Sequence, residues 1–306
     1  MRIISLLTGG TEIVCALGAG DDLVARSHEC DNPSWVKKLP SVTRPAFNVD
    51  VSSREIDAEV NRRLKAQEPL YIIDREKIDE LEPNLLITQQ HCEVCAVTPG
   101  DVARSGCAVV AAKILALQAG SLAGIYQDVL NTAEALGKPE AGRELVAAIQ
   151  SRLSDIHDTV KTQRPPTVIV LEWTDPVFAV GNWGPELVQA ANGELLLAHK
   201  GEHSRAINWD LVRQADPEFL IVAPCGFNLA RAQREIAVLE KYPGFGQLKA
   251  VRQGNLVFAD GNLYFNRSGM TVVETAEILA DILHGTQLHK NSAENIWRRS
   301  RVGSRF

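Results

Sequence analysis

The sequence predicts an α/β fold with parallel sheets covered on both faces, and three observations carry that reading. Short β-branched and leucine-rich runs alternate with amphipathic segments along most of the chain, which is how parallel strands and their crossover helices read. The strongest helical period lies between two sets of strands, where Leu145, Val146, Ile149, Leu153, Ile156 and Val160 recur at spacings of three and four. The length, 306 residues, exceeds one small module and, at roughly 100–200 residues per domain, suits two lobes or one large α/β domain.

The first strand set is Arg2–Leu7, Asp22–Ser27, Leu70–Ile73, Leu85–Thr88 and Ala108–Leu115; the second is Thr167–Glu172, Phe219–Ala223 and Asn255–Ala259. The long helix starts after Gly137-Lys138-Pro139, where Pro suits a first turn, and stops before Arg164-Pro165-Pro166. About 24 residues at 1.5 Å each make a rod of about 36 Å, long enough to cross a domain boundary. The expected division is 1–136, a connecting helix 137–164, a second lobe 165–285 and a tail 286–306. That tail is basic through Trp297, Arg298, Arg299, Arg301 and Arg305, and is expected to fray.

Composition narrows the function classes. With 45% hydrophobic and 23% charged residues the chain is globular, which excludes both a disordered chain and a membrane-embedded one. A net charge of −6 gives no global pull toward nucleic acid. No run approaches the ~20 apolar residues of a membrane span. The opening Met1–Leu7 runs at once into Thr8-Gly9-Gly10 without the apolar core of a signal segment, so the expected compartment is the cytoplasm. Six cysteines are too sparse for a disulfide scaffold of this size and are read as thiols, ligands or redox groups.

The two strand sets also resemble each other. Ile78–Cys92 can be laid over Leu211–Cys225: each is a helix end, an acidic-Pro break at Glu82-Pro83 or Asp216-Pro217, a buried strand, and a cysteine just past it. Ligands of open α/β sheets sit outside the carboxyl ends of the strands, so the loops there are the places to look for function and are expected to face a shared cleft.

Those loops hold the residues that could carry chemistry. Cys92-x-x-Cys95 lets two sulfurs reach one metal or form a redox disulfide. His28 and Cys30 fall at the end of the neighbouring strand, and Cys225 at the corresponding place in the second set. Three cysteines and a histidine would complete a tetrahedral zinc site, while three or four cysteines could hold an iron–sulfur cluster; ordinary buried thiols are the plain alternative. Cys15 and Cys107 read as core packing. Aromatic residues make up only 6%, yet Trp173, Trp183, Phe227, Tyr264 and Phe265 all fall in strand-end loops, where wide rigid faces suit a flat macrocycle. Gly181–Glu186 and Thr8–Thr11 each open a helix and could accept an anionic group on free N–H donors, though neither is a phosphate loop. Arg205, beside His203, and Arg267, after Tyr264, are candidate partners for carboxylate or phosphate. No hydrolase motif is present.

Three stretches carry a resemblance: Arg2–Val14 with Thr11-Glu12, Gly20–Asp31 with Ser27-His28-Glu29-Cys30, and Val257–Arg267 with Asp260-Gly261-Asn262. Together they resemble the iron/cobalamin periplasmic-binding-protein family. Ser27–Asp31, Cys92-Glu93-Val94-Cys95 and Ala223-Pro224-Cys225-Gly226-Phe227 look most like its cobalamin-binding branch. The resemblance spans about residues 1–285. It implies two Rossmann-like lobes joined by one rigid helix, with a corrinoid or other small-molecule metal chelate held in the cleft. It implies ligand contacts from Thr11, Glu12, Trp173, Trp183, His203, Arg205, Gly226, Phe227, Asn262, Tyr264 and Arg267, and an ABC permease as a possible partner. The chain departs from the family in having Thr8-Gly9 where Pro-Ser is usual. The alternative is a cytosolic metal- or cluster-bearing protein, an enzyme included, whose site is His28, Cys30, Cys92, Cys95 and Cys225.

Overall fold

The computed structural model describes residues 1–90, 94, 96–105, 112–290 and 295–300. These fall into two compact units. The first comprises Met1–Ala148 with the short segment Ser268–Met270, and the second Ile149–Arg267 with the chain from Thr271 onward.

The first unit holds β1 (Ile3–Ser5), α1 (Thr8–Ala16), β2 (Leu23–Arg26), β3 (Thr43–Pro45), α2 (Ser53–Ala66), β4 (Tyr71–Ile73), α3 (Arg75–Leu81), β5 (Leu85–Gln89), α4 (Pro99–Ser105), β6 (Lys113–Leu117) and α5 (Leu122–Ala135), and α6 (Pro139–Val160) begins in it. Its main sheet runs β2-β1-β5-β6, all parallel, with β3 and β4 paired antiparallel beside it. The two-residue period of a strand explains why both faces are dry. Ile3, Leu85 and Ile87 pack with Ile13, Val14 and Val129 on one side, while Ile4, Leu6 and Leu86 pack with Ala25, Ile78 and Val102 on the other. Of the expected fifth strand, only Lys113 onward is strand, and residues 106–111, including Cys107, lie outside the described residues.

The second unit holds β7 (Thr167–Thr174), β8 (Val177–Ala179), α7 (Gly184–Ala190), β9 (Glu194–Leu195), β10 (Arg205–Ala206), α8 (Trp209–Ala215), β11 (Phe219–Val222), α9 (Leu229–Arg234), α10 (Ile236–Leu239), α11 (Lys249–Arg252), β12 (Leu256–Ala259), α12 (Val272–His284) and β13 (Trp297–Ser300). Parallel β7, β11 and β12 form the centre, as the sequence predicts. The sheet as a whole is mixed. β7 runs on to Thr174 and folds back into β8, which pairs with β10, both antiparallel.

One expectation is corrected. The tail does not fray between Trp297 and Ser300: it pairs antiparallel with β12 and covers the donors and acceptors of an edge strand. Ser300 is buried there, and the Arg299 guanidinium lies over the Phe219 ring and donates to the Ile282 carbonyl, so its charge is no obstacle to docking. Arg301 and Arg305 are outside the described residues. The division falls inside α6 at Ala148, and Ser268–Met270 returns to the first unit before α12 begins.

Candidate functional site

At the carboxyl end of β1 the chain turns directly into α1. Thr8, Gly9 and Gly10 lie inside that helix and not in a free anion-binding loop. The glycines serve close packing: a Cβ on Gly9 would sit 2.6 Å from the Ser268 carbonyl oxygen, and one on Gly10 2.7 Å from Ile87. Thr11 is fully buried. Its hydroxyl is 3.2 Å from the Leu7 carbonyl, 2.9 Å from Ser5 Oγ and 3.0 Å from Cys30 Sγ. Glu12 is 2% exposed, and its carboxylate accepts from Asn32 Nδ2 at 3.1 Å and from the Met270 amide at 2.9 Å. Both residues hold the first unit together, and neither presents a free polar face to a ligand.

His28 is half-buried after β2. Its amide donates to Thr43 Oγ1 at 3.0 Å, and its Nδ1 lies 2.7 Å from the same oxygen. Burial, helped by Arg26 nearby, pulls the imidazole down to about 4, so it is neutral at pH 7. The Tyr71 ring packs against it at 5.8 Å and the Tyr71 hydroxyl donates to the Val94 carbonyl at 2.6 Å. Val94 stands between the two cysteines of the Cys92–Cys95 motif, which lie outside the described residues. Cys30 is buried against Thr11 and Ser5, while Cys225 is exposed in the second unit. Among the described residues no three His, Cys, Asp or Glu side chains come together to hold a metal. Burial, with Glu12 nearby, pushes the Cys15 thiol up to about 11, which suits inert packing.

The second unit arranges the corresponding edge differently. β11 ends at Val222 and the turn Pro224–Phe227 follows, with the Cys225 amide donating to the Glu172 carbonyl at 3.0 Å. Gly226 has φ 74, and a Cβ there would meet nothing within 4 Å, so left-handed geometry and not crowding calls for glycine. Phe227 lies 5.2 Å from the half-buried Trp173, ring to ring, and the Arg231 guanidinium stacks 3.8 Å from the Phe227 centroid. The turn after β12 is fastened to this one. The Phe227 carbonyl accepts from the amides of Gly261 at 2.9 Å and Asn262 at 3.1 Å, and a Cβ on Gly261 would fall 2.2 Å from the Pro224 oxygen. Gly261–Phe265 forms a single π-helical turn, capped by Asp260, which accepts from the amides of Asn262 and Leu263. Such turns recur at functional sites.

Trp173, Gly226, Phe227 and Asn262 thus lie together at adjoining turns of the second unit. Tyr264 is buried in the π-helical turn, and Arg267 is buried and donates to the Asn262 carbonyl, which makes it a brace of its own loop. Trp183 caps α7 and is 8% exposed, with its Nε1 buried and without a hydrogen-bond partner. His203 and Arg205 are exposed, the latter 3.7 Å from Glu202. Sequence reasoning missed Arg231. Its spacing of four from Phe227, across the Asn228 helix cap, is the signal that could have found it.

The family-wide sequence pattern described as periplasmic binding protein matches residues 3–263. Over 288 residues the chain is 23% identical to the uncharacterized ABC transporter substrate-binding lipoprotein YvrC of Bacillus subtilis (strain 168), which covers 92% of this chain and 80% of that protein. Among solved structures it is similar to a periplasmic heme binding protein from Pseudomonas aeruginosa, with a TM-score of 0.74 and 19% identity over 99% of each chain. It is also similar to the periplasmic vitamin B12 binding protein BtuF of Vibrio cholerae, with a TM-score of 0.64 and 20% identity over 95% of this chain and 98% of that one. These matches overturn the cytoplasmic expectation, because the family is periplasmic and the Bacillus relative is a lipoprotein. That expectation rested on the residues around β1, which report on the fold and not on the compartment. With the pattern matched from the first strand to the turn after β12, on an α/β fold shared with solved members, the chain belongs to the periplasmic binding protein family.

Proposed function

We propose that the chain is the substrate-binding protein of an ABC transporter and carries a flat metal chelate, a corrinoid of the cobalamin type first among them, to a membrane permease. The family and the transporter-associated Bacillus relative support the transport role. The similar structures bind heme and vitamin B12, two metal macrocycles, which supports the ligand class. The observation that carries the reading in this chain is the wall Trp173–Phe227–Arg231 at the carboxyl ends of β7 and β11. The half-buried Trp173 ring, backed by the buried Phe227 ring and beside the guanidinium stacked on it, pairs an aromatic surface with a fixed cation, which suits a macrocycle bearing carboxylate, amide or phosphate groups. Among the described residues no helix is long and apolar enough to cross a membrane, which is consistent with delivery to a separate permease.

Spectrophotometric titration with cyanocobalamin and with hemin tests this. Binding of one of them at micromolar concentration or tighter is expected, weakened by about 5- to 150-fold in Trp173→Ala, the equivalent of about 1–3 kcal/mol at a hot-spot aromatic. Failure of both macrocycles to bind at 100-fold higher concentration would remove the ligand class.

A further inference from the structure

We propose that the chain after α12, through its described residues 286–290 and 295–300, acts as a strap that holds the turn Asp260–Phe265 in its binding shape, making Asp281 and His289 positioning residues for that turn. The inference deepens the functional reading above and rests on it for the role of the turn, although the strap itself is argued from contacts within the second unit.

The strap is anchored where it begins. As the chain leaves α12 at Gly285, the Asp281 carboxylate accepts from Thr286 Oγ1 at 2.6 Å, from the Leu288 amide at 2.8 Å and from the His289 amide at 3.1 Å. One largely buried carboxylate therefore fixes three residues within a stretch of four, and its charge strengthens each bond. The consequence is felt at His289, whose ring meets Tyr264 edge-on at 5.7 Å and 87°. No hydrogen bond reaches His289 Nδ1, so at that atom the ring is held by packing.

The strap grips the turn a second time near its other end. Ile296 is buried, and its carbonyl accepts from the Asp260 amide at 2.8 Å, extending the β12–β13 ladder one residue beyond β12. Asp260 is the residue whose carboxylate caps the π-helical turn through the amides of Asn262 and Leu263. A π-helical turn is a rare backbone shape that persists where its surroundings hold it. Here the hold comes from Asp260 at its start and Tyr264 in its body, each touched by a different part of the strap. The family pattern ends at residue 263, so the strap lies beyond the stretch that defines the family.

Hydrogen exchange of the full-length protein without ligand tests the strap directly. In His289→Ala and in Asp281→Ala the amides of residues 261–265 are expected to exchange about tenfold faster, while those of β7 and β11 keep their wild-type rates. His289→Phe keeps an aromatic ring against Tyr264 and is expected to restore protection. Unchanged exchange at 261–265 in both alanine variants overturns the strap, and so does acceleration shared equally with β11, which would mark a general loss of stability. Titration with cyanocobalamin and hemin is read separately. A five- to twentyfold loss of affinity in His289→Ala with an unchanged melting temperature ties the strap to binding, whereas wild-type affinity in a variant with a loosened turn breaks that tie. If wild-type protein binds neither macrocycle, the functional reading fails while the exchange result still decides the strap.

Discussion

At the carboxyl edge of the first unit the polar side chains are consumed by the fold. Thr11 is bonded among Ser5, Leu7 and Cys30, and Glu12 between Asn32 and Met270, with Thr11 and Glu12 themselves buried. At the same edge of the second unit backbone hydrogen bonds join the turns after β11 and β12, helped by Asn266, which donates to the Ala223 and Gly261 carbonyls, and Trp173, Cys225 and Arg231 remain at least partly exposed. The difference is one of degree, in how far side chains or the main chain supply the hydrogen bonds that join the loops. Where side chains serve as structural pins they cannot also read a ligand. On the proposed function, the second unit is therefore expected to be the one in which substitutions change binding without changing folding.

The sharpest way to break that contrast is to compare two tryptophans of the second unit. Trp183 is buried at the start of α7, so Trp183→Ala opens a cavity and is expected to cost about 3–5 kcal/mol of stability in urea denaturation. Trp173 is half-buried, and Trp173→Ala should cost less than half as much while taking the larger share of any binding loss. Equal stability losses would show that the aromatic wall is core.

Glu12→Ala probes the other side. It strips the acceptor from the Met270 amide and from Asn32, both in the first unit, and is expected to cost about 2–3 kcal/mol of stability. A melting curve unchanged from wild type would show that the carboxylate is not a pin and could be free for a ligand.

Asp128 gives the smallest effect and a pH signature. It accepts from the Gln118 and Ala119 amides just beyond β6, yet burial outweighs them and raises its carboxyl from 3.8 to about 6. The folded state therefore binds the proton more tightly than the unfolded state. Its contribution to stability is fullest at low pH and is lost as pH rises from about 4 through 6, on the order of 2 kcal/mol in all. His28, lowered to about 4, contributes with the opposite sign. Asp128→Asn is thus expected to make stability fall more steeply on acidification between pH 6.5 and 4. Parallel profiles for variant and wild type would show that Asp128 does not titrate in that window.

Much of the fold was legible because its signals are local. The long helix ends at Pro139 and Val160, near where Pro139 and Pro165 place its limits. The correspondence between the two strand sets also has a physical basis: Glu82 and Asp216 both end a helix in the left-handed conformation, at φ 43 and φ 38, and each precedes a proline and a buried strand. What was not legible depends on tertiary surroundings. Arg205 and Arg267 are the same residue type in two loops, yet one is exposed and the other braces its own turn. The tail gave only a basic composition, because edge pairing is set by the strand it joins and not by its own residues. β8 and β10 are two or three residues long, too short for any period to show.

The first unit is not complete when residue 148 has been made, because Ser268–Met270 is part of it. During synthesis the helix that starts at Thr8 waits for some 120 further residues before the Met270 amide reaches Glu12. A chain cut short anywhere before Ser268 therefore leaves a buried carboxylate without one of its donors. A gene fragment ending at the middle of α6 should in consequence yield a weakened first unit, and the two units cannot be exchanged between relatives as separate cassettes unless that three-residue return travels with them.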